Sequence, residues 1–208
     1  MKKILVVTLL LWSSVAYCGQ KAITDTGDIV ILNDDGTWVY ADQSEQTANA
    51  IETNEQIFVK PDDSSFLLKS TKNNSTFWIN TDKWVFQKSI DNAEAEYEFQ
   101  LKGKDLYGMA ITEEIAMPVE SLAEIALTNA KSVAPDAEIV TQEYRVVNGA
   151  KLMYMEINGT IQGIKFAYLG YYYADDAGAT QLITYTATNL VAKYRSEIDD
   201  FLNGFVAK

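Results

Sequence analysis

The 208-residue chain contains no histidine and a single cysteine, Cys18. The Ser-His-Asp and Cys-His catalytic centres, zinc sites that use histidine, and the usual non-haem iron site all need residues that this chain lacks. Clusters of thiolates need several cysteines, and an internal disulfide needs two. These counts exclude the commonest kinds of nucleophilic and transition-metal chemistry. We therefore predict no catalytic residue, no metal site and no cofactor.

Adjacent acidic residues occur at three places of chemical interest: Asp34-Asp35, Glu113-Glu114 and Asp175-Asp176. An EF-hand loop needs acids at alternating positions and a final glutamate, a series that follows neither aspartate pair. Both aspartate pairs precede a glycine, which is typical of turns. A strand would place Glu113 and Glu114 on opposite faces, which is poor geometry for a shared acid–base site. A carboxylate-dependent hydrolase is therefore the weakest functional hypothesis.

The chain has two arginines, Arg145 and Arg195, and both stand near carboxylates in the sequence. Glu143 lies two residues before the first arginine, and Glu197 lies two residues after the second. In an acidic chain, we expect lone arginines to form ion pairs with such carboxylates. Anion binding is the weaker alternative for both.

Aromatic residues form the clearest candidate binding site. A predicted strand at residues 161–173 contains four tyrosines, and its alternation places Tyr168 and Tyr172 on one face and the other two on the opposite face. One interpretation is a core strand whose hydroxyl groups find partners at the sheet rim. The other is an aromatic groove for a peptide, a sugar or an apolar ligand, with two tryptophans at the same rim. The candidate ligand- or partner-binding residues are Tyr168, Tyr171, Tyr172, Tyr173, Trp78 and Trp84.

The first eighteen residues have the pattern of a secretory signal peptide. Lys2 and Lys3 precede an apolar run at residues 4–12, and small residues follow at 13–16. The run is shorter than the roughly 20 residues that span a bilayer. We predict a periplasmic or secreted protein with no integral membrane span in its mature chain. A lipid anchor on Cys18 is less favoured, because Tyr17 occupies the position where a small residue is needed.

The charge of the chain excludes one class of partner. The formal net charge is −12, and loss of the two lysines near the N-terminus would remove two positive charges more. Such a chain repels phosphate backbones and anionic membrane surfaces, and no basic stripe offsets this repulsion. We predict that it binds no nucleic acid. The simplest consequence of the charge is solubility.

The chain divides into four predicted segments: a signal peptide at 1–18, a small β-meander at 19–42, a polar linker at 43–56 and an α+β domain at 57–208. In the meander, a turn at Asp34-Asp35-Gly36 joins two strands, with Trp38 and Tyr40 as packing anchors. This stretch resembles a short Asp-Gly-Thr-Trp motif near the N-terminus of many exported bacterial proteins. That resemblance implies no activity.

Periodicity in the main domain predicts a twisted antiparallel sheet of five to seven strands covered by two helices. Apolar residues recur at helical spacing over 118–133 and 189–203. We expect Thr188 or Asn189 to cap the second helix. The dipeptides Asn148-Gly149 and Asn158-Gly159 each predict a hairpin turn. Predicted strands lie at residues 66–69, 77–79, 84–86, 95–101, 106–115, 137–147, 151–157, 161–173 and 180–187.

The order of these elements resembles the PsbP-like fold, a family that includes DcrB-type exported proteins. The resemblance covers about two thirds of the chain and contains no catalytic motif. It implies an α/β/α sandwich, and it implies a protein that acts through its surface rather than by catalysis. The positions that carry it are Trp84, residues 110–113 before the 121–133 helix, Asn148-Gly149, residues 163–166 and residues 201–205.

Three functional hypotheses remain, in descending order. The first is an exported, non-enzymatic accessory or binding factor for another protein of the cell envelope. The second is a small-ligand binding module that uses the aromatic strand, and a ligand-sized cavity against Tyr168 or Tyr172 would favour it. The third is the carboxylate-dependent hydrolase. The partner, the ligand and the oligomeric state are left open.

Overall fold

The computed structural model describes residues 20–24, 29–33, 36–40, 51–90 and 92–207. The predicted signal peptide, the candidate lipid-anchor residue Cys18, the turn residues Asp34 and Asp35 and most of the predicted linker lie outside these residues. Neither α-helix of the described part is long and apolar enough to cross a bilayer.

A small antiparallel sheet precedes the main domain. Its strands are β1 (Gln20–Ile23), β2 (Ile29–Leu32) and β3 (Trp38–Tyr40), paired in that order. The ring centroids of Trp38 and Tyr40 lie 5.3 Å apart in an edge contact. Both side chains are nevertheless more than half exposed. These aromatic residues therefore contact each other without forming a closed core.

The main domain consists of a large mixed sheet, a three-stranded sheet and two helices. The large sheet has the strand order β4-β10-β11-β12-β13-β9-β8-β7, and the smaller one has the order β14-β6-β5. The elements are β4 (Thr53–Phe58), β5 (Phe66–Lys69), β6 (Thr76–Ile79), β7 (Trp84–Lys88), β8 (Tyr97–Leu101), β9 (Tyr107–Glu113), α1 (Val119–Val133), β10 (Glu138–Val147), β11 (Ala150–Ile161), β12 (Ile164–Asp175), β13 (Gly178–Ala187), a 3-10 turn (Thr188–Leu190), α2 (Val191–Leu202) and β14 (Phe205–Val206).

Strand β4 corrects the prediction of a wholly antiparallel sheet with five to seven strands. It pairs in parallel with β10, so the sheet has eight strands and is mixed. It also begins at Thr53, inside the segment predicted as a linker. Its sequence is polar, and only Asn54 and Phe58 are half-buried. Backbone pairing with β10 therefore defines this edge strand, and its sequence has no alternation of apolar residues that would predict a strand.

The two predicted hairpin turns have different outcomes. Asn148 and Gly149 adopt φ values of 49° and 86° and join β10 to β11, as predicted. The Asn158-Gly159 prediction is wrong, because both residues lie inside β11 and the turn is at Gln162-Gly163. A Cβ atom on Gly159 would lie 3.0 Å from the Cβ of Ala134. The absence of a side chain at Gly159 therefore allows the segment that follows α1 to approach β11 closely.

The helices lie on opposite faces of the large sheet. One core cluster joins α2 and the three-stranded sheet to one face of β12, including Leu169 and Tyr171. The other joins α1 to the opposite face, including Tyr168 and Tyr172. One face thus carries a helix and a second sheet, and the other carries a helix alone, so an α/β/α description covers only part of the architecture.

Helix α1 matches the predicted span to within one residue, whereas α2 begins later than predicted. Residues 188–190 form a 3-10 turn, and Leu190 is the N-cap, without a side-chain hydrogen bond. The prediction of a Thr188 or Asn189 cap is therefore wrong. The hydroxyl oxygen of Thr188 is buried without a hydrogen-bond partner among the described residues.

A buried carboxylate ties the β5–β6 hairpin to the large sheet. Glu96, only 8% exposed, accepts hydrogen bonds from the hydroxyl of Ser70 (2.8 Å), from the backbone N–H and hydroxyl of Thr71 (2.7 Å each) and from the hydroxyl of Thr112. Burial alone would raise the pKa of Glu96, but these hydrogen bonds outweigh it and hold the pKa below its ordinary value. The alternation of the strand had assigned Glu96 to the polar face.

We expect Glu96→Gln to lower the free energy of unfolding by about 1–3 kcal/mol at neutral pH, because charge-assisted hydrogen bonds are lost. Since the pKa of Glu96 is lower in the folded than in the unfolded chain, its stabilisation is fully present above the ordinary value of 4.5 and disappears as the pH falls through the folded value. Urea denaturation at several pH values measures this. The difference between variant and wild type should shrink in acid, and exposed Glu94→Gln is the control. An equal effect of both substitutions would contradict the role of Glu96.

Candidate functional site

The structure divides the six candidate binding residues between two faces of the sheet. Tyr168 and Tyr172 face α1, whereas Tyr171 and Tyr173 face α2. Trp84 is buried against Phe201, with ring centroids 4.4 Å apart. Trp78 and Trp84 do line one common cavity, but its volume of about 10 Å³ leaves room for little more than a water molecule. These residues therefore do not form one continuous aromatic groove.

A larger cleft lies between the second half of α1 and the sheet. Its volume is about 360 Å³, which falls within the range of small-molecule sites. Strands β9, β11, β12 and β13 form its floor. The lining is mainly apolar at the bottom and polar at the rim. The residues that line it are Asn92, Glu94, Met109, Ile111, Ala126, Asn129, Ala130, Ser132, Val133, Ile157, Tyr168, Tyr172, Gln181 and Ile183.

Strand register explains how the floor of the cleft is built. In the β12–β13 pair, Tyr172 lies opposite Gln181, and two residues along the strand Gly170 lies opposite Ile183. A Cβ atom on Gly170 would come within 2.9 Å of the carbonyl oxygen of Leu182 and 3.1 Å of Ile183. The absence of a side chain at Gly170 thus lets the Ile183 side chain pack close to the sheet, between Tyr168 and Tyr172. The cleft is the space above Ile183.

Two polar side chains of the cleft belong to largely buried residues and have no hydrogen-bond partner in the described part of the chain, while their polar atoms border the open cleft. Tyr172 is 1% exposed and Gln181 is 5% exposed, and no hydrogen bond joins either side chain to another described residue. By contrast, the hydroxyls of Tyr171 and Tyr173 donate to Asn203 (2.8 Å) and Asp175 (3.1 Å). Burial raises the pKa of Tyr172, so its hydroxyl remains a neutral donor and acceptor.

The electrostatics of the cleft favour an uncharged ligand. Among the described residues that line it, the exposed Glu94 at the rim is the only carboxylate, and none is a lysine or an arginine. Tyr168 also lines the cleft, and burial raises its pKa as well. The arrangement can therefore enclose an apolar molecule and offer it neutral hydrogen-bonding groups. No pair of converging buried acids occurs among the described residues of its lining.

Outside the cleft, the described acidic residues form no metal-binding cluster, and both arginines are paired with carboxylates. No group of three or more aspartate, glutamate or cysteine side chains lies close enough to hold a metal ion in the described part of the chain. Arg145 pairs with Glu143 at 2.5 Å, as predicted. Arg195 pairs instead with Glu156 at 3.3 Å, because residues two apart on a helix, such as Arg195 and Glu197, do not face each other.

Comparisons with known proteins give the fold. A scan against family models and a search of curated proteins find no match. The solution structure of cyanobacterial PsbP (CyanoP) from Synechocystis sp. PCC 6803 matches 70% of this chain and 94% of that protein, with a TM-score of 0.55 and 14% identity. The chain has the PsbP-like fold. At this identity the likeness shows the fold alone, and it confirms the resemblance inferred from the order of elements.

Two further solved structures resemble this PsbP-like domain more distantly. One is PA94 from Pseudomonas aeruginosa, a protein of unknown function and putative regulator, with 9% identity, a TM-score of 0.44, and coverage of 69% of this chain and 96% of that one. The other is LpqN of Mycobacterium tuberculosis, involved in cell envelope biogenesis, with 8% identity, a TM-score of 0.37, and coverage of 72% and 80%. Similarities at this level carry no functional argument.

Sequence reasoning had pointed to Tyr168 and Tyr172 but not to the residues around them. The sequence pattern did not identify Gln181, because β13 is buried along nearly its whole length. Its residues therefore do not alternate between apolar and polar, and a glutamine among them does not stand out. Met109 and Ile183 lie on neighbouring strands far apart in sequence. The signal that could have found Gln181 is its type, since a lone carboxamide in a strand of apolar and hydroxyl residues needs a partner.

The adjacent Tyr171 and Tyr172 offer a matched pair of substitutions. Both are 1% exposed. We expect Tyr171→Phe to lower the free energy of unfolding by about 1 kcal/mol, because it breaks the hydrogen bond to Asn203. Tyr172→Phe removes a hydroxyl without a described partner, so the ligand-free protein should be equally or more stable. Urea denaturation measures both. A large loss of stability in Tyr172→Phe would show that its hydroxyl is already satisfied within the fold.

Proposed function

We propose that this PsbP-like protein is an exported, non-enzymatic binding protein whose cleft beneath α1 holds a small, uncharged, largely apolar ligand. The observation that carries the proposal is a cleft of about 360 Å³ whose floor holds two side chains, those of Tyr172 and Gln181, without hydrogen-bond partners among the described residues. Their polar atoms border the open cleft and are therefore available to a ligand. A ligand that covers them must supply hydrogen bonds there, because polar groups buried without partners cost stability.

The residue types of the cleft support binding rather than catalysis. The chain has no histidine, and the described lining of the cleft contains one carboxylate, at its exposed rim. Its tyrosine hydroxyls remain protonated near neutral pH, because burial raises their pKa values. Neutral tyrosine and glutamine side chains orient a ligand well, but they are weak bases and weak nucleophiles.

A neutral fluorescent probe, N-phenyl-1-naphthylamine, tests the cleft directly. We expect saturable binding to the wild-type protein. Ala130→Phe should weaken binding about tenfold or more, equal to about 1.4 kcal/mol, because the ring would occupy the cleft. Lys131→Phe is the matched control, since it places the same ring on the neighbouring, exposed position outside the cleft lining.

The outcome of this titration is decisive in either direction. Absence of saturable binding, or equal weakening by both phenylalanine substitutions, would contradict a ligand site beneath α1. Binding that the Ala130 substitution alone removes would support it, and mass spectrometry of molecules that co-purify with the wild-type protein would then identify the natural ligand.

The second candidate function is an accessory factor for another protein of the cell envelope. Exposed apolar side chains on the edge of the large sheet favour it: Ile57 at the end of β4 is 70% exposed and Val59 is 64% exposed. Strand β4 pairs with β10 on one side, and its other side carries no strand among the described residues. An edge of this kind can accept a strand from a partner.

Capture of the tagged mature protein from its native envelope, followed by mass spectrometry, tests this second function. We expect one protein near stoichiometric amount, and we expect Ile57→Lys to lose it, because a charge on the edge strand opposes strand addition. Ile164→Lys is the control: Ile164 is 54% exposed and lies at the start of β12, away from the edge strand β4. Retention of the same protein by both variants would contradict docking at β4.

A further inference from the structure

Helix α1 leaves a large part of its own sheet face uncovered. It packs chiefly on β10, β11 and β12, while β13, β9, β8 and β7 continue the same face beyond it. A second groove of about 300 Å³ lies on this uncovered part, separate from the cleft. The side chains that define it are Val85, Gln87, Glu98, Gln100, Tyr107 and Tyr185.

A row of tyrosines crosses three strands and ends in this groove. Tyr168, Tyr185 and Tyr107 lie directly opposite one another in the β12–β13–β9 register. The rings of Tyr107 and Tyr185 stack at 5.5 Å with an interplanar angle of 20°. Next in the row beyond Tyr107 is Gln100 on β8. The outer face of the Tyr107 ring therefore meets no further aromatic ring and borders the groove.

Polar side chains stand beside this ring in a fixed arrangement. The carboxylate of Glu98 accepts hydrogen bonds from the hydroxyl of Ser89 (2.9 Å) and from the amide of Gln87 (3.2 Å). These bonds use part of its acceptor capacity, because an ionised carboxylate can accept about four. The hydroxyls of Tyr107 and Tyr185 have no hydrogen-bond partner among the described residues. Burial, and next the charge of Glu98, raise the pKa of Tyr185, so this hydroxyl stays protonated.

We propose that this groove is a second binding site, for a neutral carbohydrate, with one sugar ring against Tyr107 and its hydroxyls on Glu98 and the flanking glutamines. The face of an aromatic ring carries partial negative charge and attracts the C–H groups of a sugar face. Carboxylate and carboxamide groups match the hydroxyls of the sugar edge, since a hydroxyl both donates and accepts. The volume suits one or two sugar rings, at the lower end of small-molecule sites.

The charges and polarity of the groove disfavour other occupants. No lysine or arginine is among the described residues that line it, and Glu98 adds a negative charge, so an anionic ligand would be repelled. An apolar segment of a protein would bury the charge of Glu98 and the acceptor capacity that Ser89 and Gln87 leave unused, at a cost in binding free energy. A cationic peptide would match the charge of Glu98, but it would make fewer specific contacts with the face of the stacked tyrosine and with the two carboxamides.

Titration of the full chain with maltose, cellobiose and N,N′-diacetylchitobiose tests the site, with NMR signals of the tyrosine rings as the readout. We expect at least one disaccharide to shift the Tyr107 and Tyr185 signals saturably. Tyr107→Ala should weaken that binding about tenfold, equal to about 1.4 kcal/mol, while Tyr107→Phe should retain it, because the ring face remains. Tyr144→Ala is the matched control on the same sheet face, outside the groove lining.

Three results would overturn the carbohydrate site. The first is no saturable shift with any of the three sugars. The second is equal binding by Tyr107→Ala and wild type. The third is a shift of the same tyrosine signals by tetralysine alone, which would assign the groove to a cationic partner. Should Tyr107→Ala fail to fold, Glu98→Gln replaces it, with weaker sugar binding expected because the charge-assisted hydrogen bond is lost. None of these results depends on the ligand of the α1 cleft.

Discussion

The structure depends on the need to keep water from both faces of three central strands. The central parts of β11 and β12 and nearly all of β13 are buried on both sides, so each face requires a cover. On one face, α2 and the three-stranded sheet supply this cover together. On the other face, α1 alone must do so, and it is too narrow for an eight-stranded sheet. The cleft and the second groove both lie on this incompletely covered face.

The two faces also differ in how they treat polar groups. On the α2 face, Tyr171 donates to Asn203, and Arg145 lies 3.5 Å from the ring centroid of Tyr154 while pairing with Glu143. At the junction with the β5–β6 hairpin, Glu96 is fully hydrogen-bonded. On the α1 face, Tyr172 and Gln181 have no hydrogen-bond partner among the described residues, and their polar atoms border the open cleft. Hydrogen-bonding groups left open in a mainly apolar cleft can orient a ligand.

The two proposed binding sites on the α1 face differ in their chemistry. The cleft is apolar with a few neutral hydrogen-bonding groups, whereas the second groove combines a stacked pair of tyrosines with a carboxylate and amides. Their chemistries differ, although the row of tyrosines passes from one to the other through Tyr168 and Tyr185. The PsbP-like fold itself names no activity. The functional argument therefore rests on the side chains that this chain places on one face of the sheet.

Local and periodic features could be predicted from the sequence. The missing histidines, the alternation that separates Tyr172 from Tyr171, helix α1 and the Asn148-Gly149 turn depend on residue type and on neighbours along the chain. Contacts between distant segments decided the rest. Gly159 looked like a turn residue until Ala134 was placed against it, and polar β4 joined the sheet only through β10. The site followed the same rule: sequence periodicity identified its tyrosines, but only the pairing of β12 with β13 placed Gln181 beside Tyr172, because strand register is a property of two segments and not of one.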